Sequence, residues 1–134
     1  MAFRLKPDWK TIQSPDGVNN VRQDICWLET IAVELVTILL VTMGIHSCSI
    51  IIHSNNMGTI GAANKGHSRH YHINLSICCT YSLLIPHLIT PIFKYIPSES
   101  NLADPISRRD LGPPSLMIQH TFPLPVELIP FFDV

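Results

Sequence analysis

The sequence has few charged residues and no excess of either sign. Nine Lys and Arg side chains stand against ten Asp and Glu side chains, and charged residues make up 14% of the 134 positions. A balance of this kind provides no overall attraction to nucleic acid or to an acidic membrane surface. A function that depends on a strongly basic domain is therefore not indicated, and any charge-driven contact must be local.

Several signals of targeting and of cofactor chemistry are also missing. The first ten residues contain no apolar signal-peptide core, so we expect an intracellular protein. There is no glycine-rich phosphate loop and no nucleophile elbow, and we predict no small-molecule cofactor. The spacing of the four cysteines matches no zinc template, so we expect reduced thiols. These cysteines are Cys26, Cys48, Cys78 and Cys79.

The longest apolar stretch, residues 31–52, is long enough to cross a membrane. Glu34 lies inside it, however, and Gly44 is suited to end a helix. We therefore predict a helix over 27–43 and a strand over 48–52, whose three consecutive isoleucines indicate a sheet that is covered on both faces. A small membrane-associated, non-enzymatic protein that uses 31–52 is the alternative.

The rest of the chain alternates between strand and helix patterns, which predicts an α/β layer with a mixed or parallel sheet. The predicted elements are a strand at 2–5, helices at 57–64 and 73–89, a strand at 91–97 and a short helical segment within 98–110. From residue 111 onward, five prolines and a lack of periodicity predict a proline-rich tail that is poorly ordered or loosely docked. The predicted division is a domain over 1–110 and a tail over 111–134.

Three polar positions are expected to meet at one edge of the sheet. Glu34 lies on the first helix, in a polar stripe with Thr30 and Thr37. Asn55 follows the central strand, and Asp104 follows the last one. Acids that converge from separate elements can hold paired Mg²⁺ ions for the hydrolysis of phosphodiesters.

Three segments together resemble the ribonuclease H domain of reverse-transcriptase polyproteins, in the form found in fungal retrotransposons. These segments are "WLETIAVELVTILLV", "IIHSNNMGTIGAANKGHSRHYHIN" and "YIPSESNLADPISR". The resemblance implies a ribonuclease-H-like mixed sheet flanked by helices, and an ancestral activity that hydrolyses the RNA strand of RNA–DNA hybrids with Mg²⁺. It places the family's catalytic and magnesium-binding acids at Glu34 and Asp104.

The departures from the family pattern predict a truncated, degenerate copy. Asn55 stands where the family has a metal-binding aspartate, and the family's N-terminal hairpin, with its own catalytic aspartate, has no counterpart here. Two carboxylates should hold Mg²⁺ weakly, so we predict little or no nuclease activity and at most nucleic-acid binding. We also expect that folding needs the rest of a polyprotein. A third hypothesis is an active nuclease that another chain completes by supplying the missing hairpin.

Local positive charge is the remaining signal for a nucleic-acid partner. Lys65 and Arg69 lie in the polar loop 65–72, and Arg108 lies close to Asp104. We predict that these three side chains contact phosphates, which requires only local charge. The alternatives are a loop that is merely solvated and an arginine that caps a short helix. The loop's three histidines lack a second group of ligands, so we do not predict a zinc site there.

Overall fold

The structure is a computed structural model, and it describes residues 3–12, 23–107, 110 and 112–133. The described part is mixed α/β, as predicted. Its strands are β1 (Arg4–Leu5), β2 (Cys48–Ser54), β3 (Ile89–Tyr95) and β4 (Phe132–Asp133). Its α-helices are α1 (Ile25–Thr42), α2 (Met57–Lys65), α3 (Tyr71–Leu84) and α4 (Asp104–Ser107). Four 3-10 segments accompany them, at Trp9–Thr11, Ser98–Ser100, Pro114–Leu116 and Val126–Phe131.

The central sheet of the described chain is a parallel pair formed by β2 and β3. The register runs from Cys48 beside Ile89 to Ser54 beside Tyr95. Parallel strands need a long crossover, which α2 and α3 provide here. The pairing is parallel, one of the two arrangements that the sequence left open, and both strands end at the same edge. β1 pairs antiparallel with β4 in a separate two-stranded sheet.

Only one face of the β2–β3 pair is covered by the described helices. Ile52 and Phe93 point to the helical side and are half-buried, whereas Ile51 and Ile92 on the other face are 54% and 42% exposed. The prediction of a sheet covered on both faces is therefore wrong for the described chain. Consecutive isoleucines fit a doubly covered strand, but they do not require one.

Helix α1 begins and ends where the sequence suggests. The Asp24 side chain accepts a hydrogen bond from the Trp27 backbone N–H at 3.2 Å and caps the first turn. Gly44, with a φ of 83°, follows the last turn and lets the chain leave toward β2. The apolar stretch 31–52 is thus divided between a helix and a strand. By length and composition α1 is able to cross a membrane, and 28% of it is buried in the fold.

The face that α1 buries is unusually polar. Its buried residues are Trp27, Thr30, Ile31, Glu34 and Thr37. The two threonine hydroxyls donate to carbonyl oxygens one turn earlier in the same helix, so they are satisfied without leaving it. This face packs against α3, whose own buried residues include Ser76 and Thr80.

The core extends into the C-terminal segment, contrary to the expected poorly ordered tail. Leu128, Phe131 and Phe132 are 2%, 1% and 4% exposed and pack in one cluster with Trp27 and Ile31 of α1. The Phe131 ring lies 4.6 Å from that of Trp27, centroid to centroid. The prolines break periodicity, but they do not prevent the last apolar side chains from filling the core.

Candidate functional site

A pocket lies at the carboxyl edge of the β2–β3 pair, where open α/β folds usually place their sites. It has a volume of about 640 Å³ and is closed on one side by α1. Its lining residues are Ile25, Leu28, Glu29, Ala32, Asn55, Asn56, Asn101, Ala103, Asp104 and Ile106. The parallel register explains the convergence, because the segments that follow both strands start side by side.

The polar residues after β2 are held by bonds to their neighbours. The Asn55 side-chain amide donates to the Ser98 hydroxyl at 2.8 Å, which ties the end of β2 to the segment after β3. The Asn56 side-chain oxygen accepts from the Thr59 backbone N–H at 2.9 Å and caps α2. Ser54 is buried, and its hydroxyl oxygen accepts from the Asn56 N–H. The polar stretch therefore shapes the pocket as well as lining it.

Asp104 reaches the pocket from the far side, at the start of the short helix α4. A turn positions it, in which its backbone N–H donates to the Asn101 carbonyl at 3.0 Å. The Asn101 side-chain oxygen accepts from the Ala103 N–H in the same turn. The predicted meeting of Asn55 and Asp104 at one sheet edge is therefore seen in the structure.

The α1 acid in this pocket is Glu29, and the prediction that Glu34 lies at this sheet edge is wrong. Positions five residues apart on an α-helix point in directions that differ by roughly 140°. Glu29 shares its stripe with Ile25, Leu28 and Ala32, which also line the pocket. Burial raises the pKa of the Glu29 carboxyl. The i, i+3, i+4, i+7 spacing from Ile25 could have identified Glu29 from the sequence.

Glu34 points into the interior, and its side chain is 0% exposed. One of its carboxyl oxygens lies within 4.8 Å of a Glu127 carboxyl oxygen and of the Cys79 sulfur, and those two lie as close to each other. Burial, followed by the negative charge of Glu127, raises the pKa of Glu34 from an ordinary 4.5 to about 8. Burial likewise raises the pKa of the Cys79 thiol to about 12.

Two of the three residues predicted to contact phosphates, Lys65 and Arg69, are described, and they lie close together. Lys65 and Arg69 are exposed and line a second pocket along one face of α2, beside Gly58 and Gly61. Gly66, with a φ of 77°, ends α2 and turns the loop. The third predicted contact, Arg108, lies outside the described residues.

The pocket's donor set does not fit the two Mg²⁺ ions that the resemblance implies. Its described carboxylates are those of Glu29 and Asp104, and two ions for phosphodiester hydrolysis need more charged oxygen ligands than these. The Asn56 oxygen is already committed to the helix cap, and the Asn55 amide is neutral. Among the described residues, the pocket therefore lacks the ligands that hydrolysis with two Mg²⁺ ions needs.

Comparisons with protein-family models, with curated proteins and with solved structures found no match to the chain.

Proposed function

We propose that the chain is a degenerate, ribonuclease-H-like fragment of a retroelement polyprotein that binds the backbone of an RNA–DNA hybrid without cleaving it. The observation that carries the proposal is the convergence of Glu29, Asn55 and Asp104 in one pocket. Asn55 follows β2 and Asp104 lies in the segment after β3, as the resemblance leads one to expect, whereas the α1 acid is Glu29 and not the expected Glu34.

The binding part of the proposal rests on where the exposed positive charge lies. Asn56 lines the pocket of Glu29, and the next two residues, Met57 and Gly58, line the pocket of Lys65 and Arg69. The two pockets therefore adjoin at the start of α2. A nucleic-acid backbone that crosses both would meet side-chain amides at one and two cations at the other.

The loss of cleavage follows from the electrostatics of the first pocket. Asn55 contributes no charge, and burial favours the neutral form of Glu29, so the pocket attracts divalent cations weakly. Losing one preorganised hydrogen-bond donor to the transition state typically costs a hydrolytic enzyme about 10²–10³ in rate, and this pocket lacks more than one of the family's acids.

Fluorescence anisotropy with a labelled RNA–DNA hybrid tests the proposal. The double variant Lys65→Gln/Arg69→Gln should bind more weakly than the unmodified chain. Two fewer phosphate contacts should also reduce the salt slope of the logarithm of the binding constant by roughly two. Arg4→Gln is the control, because Arg4 is exposed on the separate β1–β4 sheet. Equal weakening by the control and the double variant would contradict the proposal, as would undetectable binding by the unmodified chain at low salt.

A second candidate function, association with a membrane, is favoured by one feature of α1. The helix buries its polar stripe of Thr30, Glu34 and Thr37, while Ile25 and Val36 are 62% and 47% exposed. An outward apolar surface of this kind suits contact with lipid. Expression in cells followed by carbonate extraction separates the candidates, because recovery in the resistant membrane pellet would support membrane association and contradict the first proposal.

A further inference from the structure

Three side chains that are distant in sequence form a compact group of metal-ligating atoms in the interior. Glu34 comes from α1, Cys79 from α3 and Glu127 from the 3-10 segment Val126–Phe131. One oxygen of each glutamate and the Cys79 sulfur all lie within 4.8 Å of one another. The group does not touch the pocket at the sheet edge, whose lining shares no residue with it.

The buried member of the group makes no hydrogen bond of good geometry. Glu34 is 0% exposed, and neither of its carboxyl oxygens has a well-aligned hydrogen-bond partner among the described residues, although the Glu127 carboxyl and the Ser76 hydroxyl interact with it. The hydroxyl of Ser76, three residues before Cys79 on α3, is also buried without a hydrogen bond of good geometry. Buried polar groups nearly always have partners, and an exception calls for an ion or a water that satisfies it. A buried carboxyl group beside a second acid is neutralised either by a bound proton or by a cation.

The donor atoms indicate the kind of cation. A cysteine sulfur excludes Mg²⁺ and Ca²⁺ as preferred ions, because both take oxygen ligands. Zn²⁺ accepts sulfur and carboxylate oxygen together, at roughly 2.3 Å and 2.0–2.2 Å. At those bond lengths, the donor atoms of a tetrahedral zinc site lie about 3.5 Å from one another. Side-chain movements of about 1 Å would therefore bring the three donor atoms to the distances of a zinc site.

We propose that Glu34, Cys79 and Glu127 bind one Zn²⁺ ion, with water in the fourth position. The ion would join α1, α3 and the C-terminal segment, and it would supply the positive charge that the buried glutamate lacks. Because Cys79 and Glu127 are only partly buried, the ion has a route in from solvent. The site does not depend on the nucleic-acid function proposed above.

Titration of the purified full chain with Co²⁺ tests the site, since Co²⁺ substitutes for Zn²⁺ and reports a bound thiolate by near-ultraviolet charge-transfer absorption. We expect one Co²⁺ per chain, a charge-transfer band, and loss of the band when Zn²⁺ is added. Cys79→Ser should abolish the band. Cys78→Ser is the matched control, because Cys78 is the neighbouring cysteine, is exposed and lies outside the group; this variant should keep the band.

Thermal unfolding provides a second test of the site that does not rely on the Cys79→Ser variant. Zn²⁺ should raise the melting temperature of the unmodified chain, and this rise should be lost in Glu127→Gln and kept in Glu99→Gln, an exposed glutamate elsewhere. An absent charge-transfer band, a band that survives Cys79→Ser, or an equal thermal shift in both glutamate variants would each overturn the proposal. Binding by the loop histidines alone would give no thiolate band.

Discussion

The side-chain amide of Asn55 donates to the hydroxyl of Ser98 at 2.8 Å, across the carboxyl edge of the parallel β2–β3 pair. A second link lies beside it, where the Ile96 N–H donates to the Ser54 carbonyl. These bonds hold the segment that follows β3, which leads to Asp104, against the end of β2. Asn55 is thus a structural tie between the ends of the two strands, and under the proposed function it occupies the position of a charged metal ligand.

The approach of α2 to α1 predicts opposite effects for two glycines of the same helix. A Cβ atom at Gly58 would lie 3.1 Å from the Asn56 side-chain oxygen, which caps α2, and 3.2 Å from the Cys26 sulfur. Gly58→Ala should therefore lower the free energy of unfolding, because both neighbours must shift. The effect can be measured by urea denaturation.

Gly61→Ala is the matched control for this substitution. Nothing lies within 4 Å of a Cβ atom at Gly61, so the alanine should stabilise the helix by about 0.5–1 kcal/mol. Equal stabilisation by both alanines would show that α2 does not pack on α1 as closely as described.

The C-terminal segment should contribute to the stability of the whole chain. Phe131 is 1% exposed and packs on Trp27, so Phe131→Ala should cost about 3–5 kcal/mol of unfolding free energy. Val126→Ala in the same segment should change it by less than about 0.5 kcal/mol, since Val126 is 79% exposed. Both effects can be measured by urea denaturation. Similar small effects from the two substitutions would support the loosely docked tail that the sequence predicted.

The buried Glu34 should make the metal-free chain less stable as pH rises. Its pKa is raised from 4.5 to about 8 in the folded chain. Between pH 4.5 and about pH 8, the folded state therefore keeps a proton on Glu34 that the unfolded state has released. The contribution of the protonated Glu34 to the free energy of unfolding is therefore fully present below about pH 4.5 and is lost as pH rises to about 8.

The comparison with Glu34→Gln isolates this effect, because all other titratable groups are the same in both proteins. With a chelator present, the urea midpoint of the variant should fall less between pH 4.5 and pH 8 than that of the unmodified chain. Parallel pH profiles would mean that the Glu34 carboxyl is not buried as described.

Local patterns predicted the order of the elements, although α3 ends at Leu84 and β3 begins at Ile89, within or at the end of the helix predicted over 73–89. Gly44 marked the end of α1, the apolar run before His53 marked β2, and the polar residues after it marked the pocket edge. These features depend on neighbours in sequence, through capping, backbone conformation and alternation. The α/β class followed from the order of elements alone, whereas the choice between a mixed and a parallel sheet did not.

The predictions that were wrong concern contacts between parts of the chain that are distant in sequence. Glu29 and Glu34 both lie on α1, and only the packing of α3 and of the C-terminal segment decides which acid is buried and which faces the pocket. Likewise, the prolines of the tail gave no sign that Leu128 and Phe131 are buried, because these side chains pack into a core that α1 and α3 form. The group of Glu34, Cys79 and Glu127 has no sequence signature, because its three members come from separate elements.

Incubation of the purified chain with a labelled RNA–DNA hybrid and Mg²⁺, followed by gel analysis of the RNA strand, tests the central claim most directly. We predict intact RNA with the unmodified chain and also with Asn55→Asp, because restoring one acid still leaves the pocket short of metal ligands. RNA cleavage by the unmodified chain that is lost in Glu29→Gln and in Asp104→Asn would contradict the claim and show an active nuclease site.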